Sequence, residues 1–315
     1  MFYLTMTRRL LVLPLILFFT SVAIFLLPYL TGIDPTLSII RARIGERTID
    51  PAAVAQLRSD LGLDRNLAGQ YFLWVSDLVQ GNLGFSFVSR APVGEILRRG
   101  LGVTTLLTVT TLLLALLLAL PLGILAAQRP GSWLDTLITI GCQAGVAIPQ
   151  YVLAPLFILV FALWLGWLPS AGWRGPSFWV LPVLTLLPAP LAYFTQATRA
   201  ALLEVFNADY IRTARAKGLR PHTLLCRHAL RNALIPVTTM VTLWLAGLLG
   251  GSVIVEVIFA VPGLGRILYD AVIAGDLPLL QAGLLLLLGL AILISTLTDL
   301  LYLLLNPAMR LNGNR

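Results

Sequence analysis

The sequence predicts an all-α polytopic membrane protein with six transmembrane helices and both termini cytoplasmic. Three observations carry this. Apolar residues make up 58% of the 315-residue chain and charged residues only 11%, against roughly 45–50% and 25% in soluble domains. That leaves too little charge to cover a soluble surface. Six uncharged runs each reach the ~20 residues that a helix needs to cross the hydrocarbon core. The basic residues also divide unevenly among the short connecting segments, as they do when cytoplasmic loops retain Arg and Lys.

The runs are Leu10–Ile33, Gly100–Gln128, Thr136–Trp173, Gly175–Thr198, Asn232–Val255 and Leu277–Thr298. The first follows Arg8 and Arg9. It is long for a signal core and no small-x-small cleavage pattern follows Pro28, so it reads as a retained first span. The third holds 38 residues, too many for one upright helix and too few for two with a turn. One helix ending near Trp164–Trp167 is expected there, because tryptophan suits the interface, followed by a short loop through Pro169 and Gly172. Pro149 and Pro155 in the third run, and Pro182, Pro188 and Pro190 in the fourth, predict kinks.

With the amino terminus inside, the inner segments carry Arg8, Arg9, Arg129, seven basic residues in 199–231, Arg310 and Arg315, while the short outer loops carry only Arg174 and Arg266. The net charge of +8 therefore reports topology rather than nucleic-acid binding. Segment 34–99 holds eight basic and seven acidic residues and is too long to report orientation. Asp50-Pro51 reads as a helix start and Gly62 as its stop. A second helix is expected from Asn66 to Gly81, with Leu67, Tyr71, Trp74 and Leu78 on one packing face. The resulting organisation is 1–33 (amino-terminal region and first span), 34–99 (extracytoplasmic, with short helices), 100–305 (a five-helix core including the cytoplasmic loop 199–235) and 306–315 (cytoplasmic tail).

Several chemistries lack their parts. Lys217 follows Ala216, and there is no Gly-Lys pair, so there is no phosphate-binding P-loop. The two histidines, His222 and His228, lie in the 199–235 loop and no His-Glu-x-x-His occurs, which removes the ligands of an intramembrane metalloprotease. No enzyme activity, metal site or cofactor is expected in this chain. Cys142 and Cys226 read as free thiols. Glu256 and Asp299 sit at the edges of apolar runs and read as end-of-helix charges at the interface. Gln143, Gln150, Gln196, Thr239, Thr242 and Ser252 are candidates for a polar translocation path. Each of them can equally be glue between helices.

The loop 199–236 reads as two short helices with a break. Asn207 or Asp209 can cap the first, Gly218 suits the position after its end, and Pro221 suits the first turn of the second. Arg212, Arg215 and Lys217 present positive donors beside the small Ala214 and Ala216. Such a knob can dock into a groove on a partner, or it can be a polybasic loop touching anionic lipid.

Residues 208–219 (ADYIRTARAKGL) with 227–236 (RHALRNALIP) closely resemble the coupling loop of binding-protein-dependent ABC importer permeases, and within them the dipeptide, oligopeptide and nickel branch. Leu61–Arg65, Gln70-Tyr71 and Gly81–Ser86 resemble that branch's outer segment, and Trp167–Gly172 its short outer loop. Gly250–Glu256 and Pro262–Arg266 resemble its fifth-span exit, and Asp299–Tyr302 with Asn306-Pro307 its carboxyl end. Two places depart from the wider pattern. Arg212-Thr213-Ala214 stand where the superfamily has Glu-Ala-Ala, and Gly102–Thr105 where it has Pro-Ala-Thr.

The resemblance implies a type I permease of a bacterial-type inner membrane. It implies a second homologous permease as pseudo-twofold partner, two ATP-binding subunits that hold ATP and Mg, an extracytoplasmic solute-binding protein and surrounding lipid. ATPase coupling would fall on Asp209, Tyr210, Arg212, Thr213, Ala214, Arg215, Ala216, Lys217, Gly218 and Leu219. The implied cargo is a di- or oligopeptide, with nickel or another small solute as the alternative. An ATP-independent carrier is disfavoured by the lack of midplane charge, and the resemblance disfavours carrier and channel alike.

Overall fold

The computed structural model describes residues 2–31 and 64–305, with isolated positions 52, 55, 56 and 59 between them. The expected helix from Asp50 to Gly62 lies almost wholly outside the described residues, as do Asn306-Pro307, the tail 306–315 and the side chains of Asp299 and His228. The described residues are helical throughout apart from turns and one isolated bridge, Phe85 to Pro92. In chain order the helices are α1 (Phe2–Thr31), α2 (Leu67–Val79), α3 (Val93–Gln128), α4 (Trp133–Ala147) and α5 (Gln150–Phe157, continued by a π-helical stretch Ile158–Trp164). They continue with α6 (Ser177–Leu186), α7 (Pro188–Asn207), α8 (Asp209–Ala216), α9 (Leu230–Gly251), α10 (Val253–Ile258), α11 (Leu264–Ala274) and α12 (Leu277–Leu305).

Among the described residues three helices are long and apolar enough to cross a membrane alone: α3, α9 and residues Leu277–Thr298 of α12. Two bent helix pairs meet the same length and composition only when each pair is taken together. The single helix expected for the third run is instead α4 and α5, turned 94° at Ile148 and Pro149. Pro149 cannot donate to the ladder, and its ring pushes the preceding Ile148 into extended backbone. The fourth run bends 54° between α6 and α7, where Pro188 opens the second helix. Span two begins seven residues earlier than expected, at Val93 rather than Gly100. Helix α11 stands in the segment expected as a short outer loop around Arg266; it follows Gly263 and buries Leu264, Leu268 and Ala271 on one face.

The chain divides into two compact units, 1–103 with 262–292 and 104–261 with 293–315. In the first, Asn66 caps α2 by accepting from Gly69 N–H at 2.9 Å. The aromatic face of α2 packs on α1, with Phe25 lying 5.4 Å from Tyr71 and 5.7 Å from Trp74 between ring centroids. The core of this unit joins Val93 and Leu97 to Leu264, Leu268, Leu279 and Leu280. The buried Asp276 carboxylate accepts from the Ser86 hydroxyl and from the backbone N–H of Phe87 and Val88, at 3.1 and 3.4 Å for the two amides, which fixes the hairpin-like loop before α3.

In the second unit α4 and α9 both pack on α7, and α10 packs on α5 and α6. Helix α7 passes close to α3, because a Cβ at Gly123 would sit 2.8 Å from the Thr195 carbonyl oxygen and 2.7 Å from Thr198 Cβ. Glu256, expected as an end-of-helix charge, is fully buried in the short helix α10, with hydroxyl groups packed around its carboxylate.

Candidate coupling site

The segment between α7 and α9 is built on a backbone device. Helix α8 begins after Ala208, whose extended backbone sets the start without a side-chain cap. Neither expected cap is used. The Asn207 amide donates back to the Leu203 carbonyl at 3.0 Å, and Asp209 lies inside the helix as its first residue. There its carboxylate still favours the positive end of the helix dipole. At the other end Gly218 adopts φ +79°. Gly218 N–H bonds the Arg215 carbonyl at 2.9 Å and Leu219 N–H bonds the Ala214 carbonyl at 3.3 Å. This pair of bonds is a Schellman closure, and it needs a residue that tolerates positive φ. Pro221 then opens the next helix, which passes through a π-helical turn, Leu224–Ala229, into α9 without interruption.

Ile211 is fully buried and anchors α8 against α7 and the π turn. Tyr210 OH accepts from the Asn232 side-chain amide at 2.9 Å, which ties α8 to the start of α9. Thr213 Oγ1 donates to the Asp209 carbonyl at 3.0 Å. The remaining side chains face outward: Arg212, Arg215, Ala216 and Lys217 are exposed, and Ala214 and Leu219 are half-buried. The Arg212–Asp209 pair is a solvated contact of 3.7 Å. A cavity of about 510 Å³ opens beside this segment, between Phe206, Leu219 and Leu225 on its apolar side and Arg215, His222 and Gln128 on its polar side. The result is a small, stiff, cationic knob on an apolar root.

An ion pair between a buried carboxylate and a part-exposed guanidinium stands where α7 leads toward the knob. Arg199 on α7 grips Asp135 on α4 through two parallel bonds, Nε to Oδ1 at 2.6 Å and Nη2 to Oδ2 at 2.7 Å. Gly131 N–H adds a third bond to the same carboxylate at 2.9 Å. The sequence reading missed this pair, which is 64 residues apart. Its one local signal is Ser132 three residues before Asp135, a helix-start spacing, and Ser132 does cap α4.

The structure gathers the ten coupling candidates in one segment and leaves the six path candidates spread over several elements. Gln143 and Gln196 are exposed on α4 and α7, and Gln150, Thr239 and Thr242 are half-buried. Thr239 and Thr242 bond backbone carbonyls of their own helix. Ser252 is buried and donates to Glu256. Among the described residues no group of three His, Cys, Asp or Glu is placed to hold a metal ion, and Cys142 and Cys226 are free thiols.

Comparison with known proteins agrees with this architecture. Residues 119–311 match the family described as binding-protein-dependent transport system inner membrane component, and residues 1–108 match its amino-terminal region. The glutathione transport system permease protein GsiC of Escherichia coli (strain K12) is 40% identical over 303 residues, covering 96% of this chain and 97% of that protein. The protein of the same name from Shigella dysenteriae serotype 1 (strain Sd197) matches equally, at 40% over 303 residues. Among solved structures, an inward-facing conformation of the MetNI methionine ABC transporter superposes with a TM-score of 0.59. It is 24% identical and covers 68% of this chain and 98% of that one, a likeness of fold. With the matches spanning nearly its whole length, the chain belongs to the family of binding-protein-dependent transport system inner membrane components, and is a non-catalytic, inner-membrane permease subunit of an ABC importer with a type I fold.

Proposed function

We propose that this permease carries di- or oligopeptides, received from the extracytoplasmic binding protein, through a cavity that alternates between the two sides of the membrane. ABC importers of this kind use ATP in separate ATPase subunits and take cargo from a binding protein. The peptide assignment rests on the relatives whose names specify transport of glutathione, a tripeptide. The arrangement of six spans with both termini inside rests on the distribution of Arg and Lys over short segments. A second, homologous permease completes the cavity as a pseudo-twofold partner, and ATP with Mg resides in the ATPases.

The observation that carries the mechanism is the knob. Helix α8 is rooted by Ile211, closed by Gly218 and tied to α9 through Tyr210 and Asn232. A displacement applied to it is therefore passed to α7 and α9 rather than absorbed by a loose loop. Its cationic face, Arg212, Arg215 and Lys217, docks in an ATPase groove. Closure of the ATPases moves the knob, and α7 and α9 follow as rigid bodies. The bends at 148–149 and at Leu187 shape a bundle around a cavity, and the exposed Gln143 and Gln196 supply polar groups for its wall.

The test is to purify the tagged chain in mild detergent and reconstitute it with the proteins that accompany it. Binding-protein-stimulated ATP hydrolysis with uptake of labelled tripeptide into vesicles is expected. Uptake of nickel or another solute without peptide would replace the cargo. Uptake without ATPase subunits would return the carrier reading.

A further inference from the structure

The fully buried Glu256 has no role in the coupling site, yet the structure builds a distinct environment for it. Span five does not end as one helix. Helix α9 stops at Gly251 and α10 resumes at Val253, an interruption at Ser252, although Ser252 N–H still bonds the Leu248 carbonyl at 3.1 Å and its own carbonyl accepts from Glu256 N–H at 2.9 Å. The Glu256 carboxylate lies one turn past this break. Its Oε1 accepts from Ser252 Oγ at 2.7 Å and from Thr104 Oγ1 of α3 at 2.7 Å. All three side chains are fully buried. Just beyond, Val261 N–H bonds the Glu256 carbonyl at 2.8 Å, and the Phe259 carbonyl accepts from Gly172 N–H at 2.8 Å. One carboxylate oxygen thus joins the two sides of a helix break and, across the bundle, span two.

Burying a carboxylate is costly unless hydrogen bonds satisfy it, and Glu256, just past the apolar run, is buried completely. Packing alone would be served as well by an apolar side chain of similar volume. A leucine there would keep the backbone bond to the Ser252 carbonyl but could accept from neither the Ser252 nor the Thr104 hydroxyl. The break residue itself follows Gly250 and Gly251, which offer no side chains to stiffen it.

We infer that Glu256 is a positioning residue for the transport cycle: through Thr104 and Ser252 it locks the break in span five to span two, so that α10 and the facing part of α3 move as one body. This rests on the alternating-access function proposed above.

The experiment uses the complete transporter in proteoliposomes, with ATPases, companion permease and binding protein. Cys142 and Cys226 are replaced by alanine, and spin labels are placed at Leu106 and Ile254, both exposed. The parent is expected to show one narrow label distance, unchanged between the nucleotide-free and ATP-trapped states. Thr104→Val removes the hydroxyl and keeps the shape. It is expected to leave basal ATP hydrolysis intact, broaden that distance and lower cargo moved per ATP by about tenfold, within the range of coupling changes such positions produce. Glu256→Gln, whose amide oxygen still accepts both hydroxyls, is expected to keep most of the parent's ratio. Ser252→Ala gives a second route if Thr104→Val does not assemble.

A parent distance that changes between states would overturn the inference. So would a Thr104→Val ratio within about twofold of the parent, or a Glu256→Gln loss as large as that of Thr104→Val. A parent that moves no cargo would instead remove the transport reading on which the inference rests.

Discussion

Two polar regions of the larger unit are built in opposite ways. At Asp135 and Arg199, the carboxylate is buried and met on several sides: two parallel bonds from a part-exposed guanidinium and one from Gly131. At the knob, charge is exposed and almost nothing inside the chain meets it. The Arg212–Asp209 contact is long and solvated, and what holds the segment is backbone geometry with one buried isoleucine. The Arg199–Asp135 pair uses its chemistry to keep two helices together. The knob keeps its chemistry available for another protein and lets turn geometry set its shape. Stability and partner recognition should therefore separate under mutation.

The largest loss of stability is expected from Arg199→Ala. It takes two of the three bonds described above from a buried carboxylate, leaving that from Gly131, and with the guanidinium itself part-exposed the cost is about 2–3 kcal/mol. Thermal unfolding in detergent reads this out, and Arg199→Lys should recover only part of it, because an ammonium cannot form the two parallel bonds. Gly218→Val comes next. Nothing lies within 4 Å of a Cβ there, so there is room, but a β-branched residue at φ +79° carries a strain of about 1–2 kcal/mol. Its effect on ATPase recovery should far exceed its effect on melting, because the closing turn of the knob is lost. Gly218→Asn should be milder in both.

Tyr210→Phe removes the acceptor for Asn232 and should cost about 0.5–1.5 kcal/mol, at the low end since the tyrosine is partly solvated. Smallest in stability is Arg215→Glu, expected to leave the melting temperature where it was while ATPase copurification is lost. If Arg215→Glu destabilised the chain as Arg199→Ala does, the contrast between the two regions would collapse.

The same contrast explains what was legible in the sequence. Local devices were. Gly218 and Pro221 bracket a turn within four residues, Asn66 caps the helix it precedes, and the stripe of Tyr71 and Trp74 does pack, on Phe25. Tryptophan at 164 did mark the end of the third run's helical stretch. What joins distant positions was not legible. Asp135 and Arg199 each stand beside an apolar run and look like ordinary boundary charges, and so does Glu256. Only the fold shows that Thr104, 152 residues away, is its partner. The prolines announced disturbed helices but carry no angle, so a 94° turn could be read as a kink. Helix α11 was hidden because its eleven residues are too short to span and its pattern follows Pro262-Gly263, which reads as loop.

The π-helical turn at Leu224–Ala229 has a consequence for how this chain tolerates length changes. An α-helix advances about 100° per residue, and a π turn holds one residue more than an α turn in the same rise. Deleting one residue between 224 and 229 would let the helix heal into regular α geometry and leave the frame upstream and downstream in phase. The same deletion a turn later, inside α9, would have no slack to consume. It would rotate one end against the other by about 100° and point the basic face of the knob away from its present direction. The wide turn thus behaves as a spare tooth in the gearing between knob and span, and the chain tolerates loss of a residue there more readily than at its neighbours.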